Sequence, residues 1–139
     1  MPWCSVKYDY IIADLPPAMN TLTEDILSIC DYCFVPIELG TFAIQGIANV
    51  TQKIATVGTK FGGCFASKFD KKNPADFELL EILKENLGDK VLKTVIPFSR
   101  VIKNSISYRM TAAEYMRWTN AGKCFSLLAD EITKICDKG

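Results

Sequence analysis

Apolar positions along the chain fall into two alternating patterns. Short continuous runs at residues 8–13 (YDYIIA), 32–35 (YCFV), 62–65 continuing to Phe69, and 91–96 (VLKTVI) predict four strands. Pro16-Pro17, Pro36 and Pro97 stop three of them, because proline has no N–H to give to a ladder. Between the runs, apolar residues recur at helical spacing. A short helix is expected over 23–30. Thr41 starts a longer one with Ile44, Ile47, Thr51 and Ile54 on its apolar face and Gly58 just past its end. Asn73-Pro74 opens a third, burying Phe77, Leu80, Leu83 and Leu87 and ending at Gly88. The remainder reads as helical, with a capping box at Thr111-x-x-Glu114 and a last helix along Phe125, Leu128, Ile132 and Ile135.

Strand and helix in alternation predict an α/β fold, a parallel sheet flanked by helices on both faces. Continuous rather than alternating apolar strands agree with burial on both sides. Right-handed crossovers then place all the C-terminal strand ends on one edge, where ligands bind in such sheets. Those ends carry Asp14-Leu15-Pro16-Pro17, Pro36-Ile37-Glu38, Phe69-Asp70 and Pro97-Phe98-Ser99.

Composition narrows the chemistry more than the fold. The 139 residues are the size of a single domain, and an apolar content of 49% excludes disorder. Sixteen basic and sixteen acidic residues cancel, so bulk charge selects no partner. The longest uncharged stretch, 39–52, is too short and too polar to span a bilayer, and the first residues show no secretory pattern. The expected setting is cytoplasmic, without a membrane. Histidine is absent, which removes Ser-His and Cys-His nucleophile pairs. Six cysteines include a CxxC at Cys30 and Cys33, but no further ligands stand at zinc spacing. That pair closes a helix and opens a strand, opposite to a redox CxxC, so the thiols read as reduced core residues.

One constellation is specific. Four hydrophobic residues run into D-x-P-P after Tyr-Asp-Tyr, within YDYIIADLPPAMNTLTEDIL, and DYCFVPIELGTFAIQGI follows. FASKFDKKN, GDKVLKTVIPFSRVIKNS and NAGKCFSLLADEI continue in order. Together these resemble the second half of the deviant Walker A partition ATPases, the ParA, Soj and MinD group. The resemblance implies a P-loop NTPase-like (SIMIBI-type) sheet, ATP and Mg²⁺ as cofactors, and a role in plasmid or chromosome segregation. It makes Asp14 the Walker B carboxylate, ordering Mg²⁺ through a water; an aspartate that merely begins a turn is the alternative. Pro16 and Pro17 would direct the switch segment that senses the γ-phosphate. Glu38 and Phe42 would line the nucleotide side and the dimer face, or else serve as a helix-cap region and a core aromatic. Phe69, Asp70, Pro97 and Phe98 match positions around the adenine base, although Phe98 stands where the group usually has arginine.

The group also begins with a strand and a loop of the form K-G-G-x-G-K-[ST], whose amides and lysines cradle phosphates. This sequence has no such motif, and Gly62-Gly63, its only glycine pair, is followed by no Lys-Ser/Thr. The missing strand lies between those represented by 10–14 and 32–35. Two apolar strand edges are therefore expected to pair with each other, with a partner or with a second copy. The chain alone is expected to be inactive, either as a piece of a partition ATPase or as a non-catalytic interaction module. Expected partners are a second copy of the chain, nonspecific DNA and a ParB-like regulator. The DNA surface would be the stretch from Arg100 to Lys123. There Arg100, Lys103, Arg109, Arg117 and Lys123 face one acid, Glu114, among Tyr108, Tyr115 and Trp118. A solvated helical face explains the same charges. A MinD-like membrane helix is not expected, because the C-terminus is too acidic and too short.

Overall fold

The computed structural model describes residues 8–16 and 20–138. Its elements are α1 (Thr21–Ser28), β1 (Tyr32–Glu38), α2 (Ala43–Val57), β2 (Lys60–Ser67), α3 (Pro74–Leu87), a 3-10 turn (Gly88–Lys90), α4 (Arg100–Ser107), α5 (Ala112–Tyr115) and α6 (Asn120–Cys136). Side chains cap five of the six α-helices. Asn20, Asn73, Ser99 and Thr119 each accept a first-turn N–H, and Thr111 with Glu114 forms the expected capping box. In α2 the cap position falls on Phe42 instead of Thr41, and no side chain caps it.

β1 and β2 pair in parallel, with Tyr32 opposite Lys60 and Glu38 opposite Ser67. The register slips between Cys33 and Phe34, leaving Gly62 as the extra residue of a bulge. The glycine pair makes this bulge sterically feasible. A Cβ on Gly62 would lie 2.5 Å from the Phe34 ring, and one on Gly63 (φ +145°) would lie 2.6 Å from the Lys90 carbonyl. Gly62-Gly63 is thus a packing device inside the sheet.

Alternate residues of the strands feed opposite cores, as strand geometry requires. Ile37, Cys64, Ala66 and Val91 pack with Ile47, Leu80 and Leu83 under α2 and α3. Phe34, Phe65, Leu92 and Ile96 pack with Cys124 and Leu128 of α6 and Ile102 of α4. Helices therefore cover both faces of the parallel sheet.

Two expected strands are not formed. Residues 91–97 run beside β2, on the side away from β1, but pair only through isolated bridges, Cys64 with Val91 and Phe69 with Pro97. The amides of Leu92 and Ile96 donate to the carbonyls of Cys64 and Ala66 (2.8 and 2.9 Å). Between them, Lys93 and Thr94 give their N–H groups to the Glu131 carboxylate of α6, at 2.7 and 2.9 Å. That competition breaks the ladder in the middle. Residues 8–16 form no strand either. Ile11 and Ile12 are 58% and 91% exposed, and the outer edge of β1 has no strand beside it among the described residues. The two apolar edges do not pair with each other.

Smaller differences follow from packing. Phe77, expected in the core, is half exposed and meets Phe69 edge-on at 4.9 Å between ring centres. Phe125 is also partly exposed, whereas Leu80, Leu83 and Leu128 are buried as expected. Among the described residues, no helix is long and apolar enough to cross a membrane.

Candidate functional site

The parallel strands end on one edge, where β1 finishes at Glu38, β2 leads into Lys68-Phe69-Asp70, and the 91–97 segment finishes at Pro97-Phe98. Lys68 adopts a left-handed backbone (φ +54°), a conformation that costs a non-glycine residue about 1 kcal/mol or more. Its ammonium lies 2.7 Å from the Glu38 carboxylate, joining the ends of β1 and β2. Both side chains are well exposed, so the pair adds little stability. It does occupy the one acid that β1 brings to the edge.

Beyond Phe69, a polar loop is fixed by a carboxylate that sequence reasoning passed over. Asp76, buried, accepts from the Asp70 N–H (2.8 Å) and from Asn73 Nδ2 (2.6 Å). Asp70 in turn accepts the Lys72 N–H at 2.9 Å. Asp70 is thereby tied into an Asx turn while remaining exposed to solvent. A signal for Asp76 was present, since Asn73-Pro74-Ala75-Asp76 sets an acid three residues after an N-cap.

Pro97 and Phe98 border an open apolar cleft of about 470 Å³ with Pro36 and Phe65 of the strands, Ile102 and Ile106 of α4, and Leu128 of α6. Lys68 and Lys103 stand at its rim. Phe98 is 70% exposed there. The structure thus brings Pro97, Phe98, Lys68 and Lys103 together around one cleft. Phe42 projects into solvent at the start of α2, 79% exposed, and the uncapped first turn of that helix sits just beyond the end of β1. Asp14 and Pro16 are exposed on the segment of residues 8–16, which forms no strand, and Pro17 lies outside the described residues. Asp14 is thus a solvent-exposed carboxylate. The described residues offer no glycine-rich turn for a triphosphate, because the glycine pair is enclosed in β2.

The five described cysteines are not poised for reactivity. Burial pushes the thiols of Cys30, Cys33, Cys124 and Cys136 up from their ordinary value, and that of Cys64 to about 11. They remain thiols at neutral pH, and the five described cysteines are free. Among the described residues no cluster of three acids or cysteines could hold a metal ion.

A second feature lies along residues 100–123. Tyr108, after α4, stacks on Tyr115 of α5 with ring centres 5.0 Å apart. Arg117 lies over the Trp118 indole at 4.5 Å. Arg100 and Lys103 lie three residues apart in the first turn of α4, Arg109 follows that helix with φ +54°, and Lys123 is in the first turn of α6. All five cations are exposed.

A family model described as an AAA domain matches residues 3–66. The chromosome-partitioning ATPase Soj of Treponema pallidum is 26% identical over 131 residues, covering 90% of this chain and 52% of the relative. The chromosome partitioning protein ParA of Caulobacter vibrioides is 24% identical over 90% of the chain and 49% of its own length. The sporulation initiation inhibitor protein Soj of Bacillus subtilis is 26% identical over 91% and 52%. The chain spans about half the length of these curated relatives. Across about nine-tenths of its residues, this chain is similar to ParA/Soj-type partition ATPases.

Proposed function

We propose that the chain works as the Walker B and switch side of a ParA-like partition ATPase, in plasmid or chromosome segregation in the cytoplasm. The observation that carries this reading is the similarity to Soj and ParA along almost the whole chain. The parallel sheet with helices on both faces and polar residues at its C-terminal edge supports a P-loop NTPase-like (SIMIBI-type) arrangement. Residues 8–13 take up the Walker B strand when a phosphate-loop strand stands between them and β1. Asp14 then faces the phosphates and orders a water on Mg²⁺, with Pro16 and Pro17 aiming the switch. The uncapped start of α2 beside Glu38 and Phe42 favours negative charge or a second copy of the chain. Phe69, Asp70, Pro97 and Phe98 bound the base side. Regulation by a ParB-like partner and nonspecific DNA binding through Arg100, Lys103, Arg109, Arg117 and Lys123 complete the reading.

Lacking a phosphate cradle of its own, the chain does not hydrolyse ATP alone. Binding of fluorescent ATP with Mg²⁺ tests this, measured on the chain alone and joined to the phosphate-loop half of a Soj-type relative. Binding in the joined protein only, weakened by Asp14→Ala, is expected. Absence of binding in both would favour the second reading, a non-catalytic interaction module, which the exposed basic and aromatic stretch supports.

A further inference from the structure

We infer that the basic stretch is built for unpaired nucleic acid, with Trp118 and Tyr108 as stacking platforms for bases. The inference rests on the DNA-surface reading above and narrows its ligand. Charge alone requires no aromatic rings, and a duplex keeps its base faces stacked inside, out of reach of a surface ring. Here the rings are open: Trp118 is 71% and Tyr108 64% exposed. They are also held in place. Tyr108 is backed by Tyr115 at 5.0 Å, and the Trp118 indole by the Arg117 guanidinium at 4.5 Å. Such backing limits ring rotation before a base arrives and sets a cation beside the stack, where a phosphate would pass.

The surrounding charge is one-sided. Residues 100–123 hold five cations and one acid, Glu114, and that carboxylate is already engaged, accepting the Thr111 N–H at 2.9 Å and its hydroxyl at 2.8 Å within the capping box. Each ring has a cation as its chain neighbour, Arg109 after Tyr108 and Arg117 before Trp118, so a strand stacked there finds a charge for its backbone.

The test is fluorescence anisotropy at low salt with labelled oligo(dT) of about 20 nucleotides and a duplex of the same length. The chain is expected to prefer oligo(dT). Trp118→Ala and Tyr108→Ala should each weaken oligo(dT) binding about tenfold and duplex binding less than about twofold, with Trp118→Phe restoring most of the loss. In a Trp3→Phe background, oligo(dT) should quench the Trp118 emission. Circular dichroism matching the parent would show that each variant is folded. Duplex binding that depends on Arg100 and Lys103, with oligo(dT) binding indifferent to both rings, would overturn the inference and leave the DNA surface standing. No binding of either nucleic acid would overturn both and leave the patch to a protein partner.

Discussion

Two apolar runs of this chain meet opposite fates. Residues 60–67 form β2, flanked by β1 on one side and the 91–97 segment on the other, with Cys64 and Ala66 fully buried. Residues 8–13, equally rich in aromatic and β-branched residues, join no strand among the described residues; Tyr10 reaches the Asp137 carboxylate at 3.0 Å, but Ile12 is 91% exposed. Local preference is similar in both. What separates them is a neighbour on each edge, since a strand gains its stability from ladder bonds and facing side chains. The first run carries Asp14, so the carboxylate proposed above to order a water on Mg²⁺ sits on a segment that forms no strand.

That contrast can be broken most sharply inside β2. Gly63→Ala would press a Cβ into the Lys90 carbonyl at a backbone angle that alanine rarely adopts. A loss of about 3 kcal/mol or more in urea unfolding is expected. Leu83→Ala, at a fully buried position under the same sheet, should cost about 3 kcal/mol by the same measurement.

The interrupted third lane gives a smaller, pH-dependent effect. Burial pushes the Glu131 carboxyl up, but the hydrogen bonds from Lys93 and Thr94 outweigh it and hold the pKa below its ordinary value. A lowered folded-state pKa contributes stability that is full above the unfolded glutamate value near about 4.3 and is lost as pH falls through the folded value. Glu131→Gln should cost about 1–2 kcal/mol at neutral pH and flatten the acid limb of the stability profile, followed by chemical unfolding between neutral and acidic pH. Thr111→Ala, which removes a cap from the short α5, should cost about 1 kcal/mol and release Tyr115 from Tyr108, seen as a change in near-ultraviolet dichroism. At the bottom of the scale, Ile12→Ser should change the stability of the chain alone by less than about 0.5 kcal/mol. A loss above about 1 kcal/mol would mean that residues 8–13 are packed after all.

Much of this fold was legible in sequence, for local reasons. Asn73-Pro74, Thr111-x-x-Glu114 and Gly58 marked helix ends through contacts within a few residues, and each is found in place. The two strands that failed depend on distant groups. Glu131 takes the amides of Lys93 and Thr94 from more than 35 positions away, and no periodicity announces it. Residues 8–13 needed a neighbour whose presence cannot be read from their own pattern. At the site, Pro36, Pro97 and Phe98 border one cleft, as the common strand edge suggested, and Lys103, read from sequence only as part of the basic stretch, joins them. Asp70 belongs to a turn organised by Asp76, a role visible in the N-cap spacing.

The most direct test is hydrogen exchange at the amides of residues 10–14, in the chain alone and after joining to a Soj-type phosphate-loop half with Mg²⁺ and ATP. These amides should exchange freely in the chain alone and gain at least about 100-fold protection in the joined protein, as a newly paired strand does. Protection already present in the chain alone, or none in a joined protein that binds nucleotide, would contradict the assignment of this segment as a Walker B strand awaiting its neighbour.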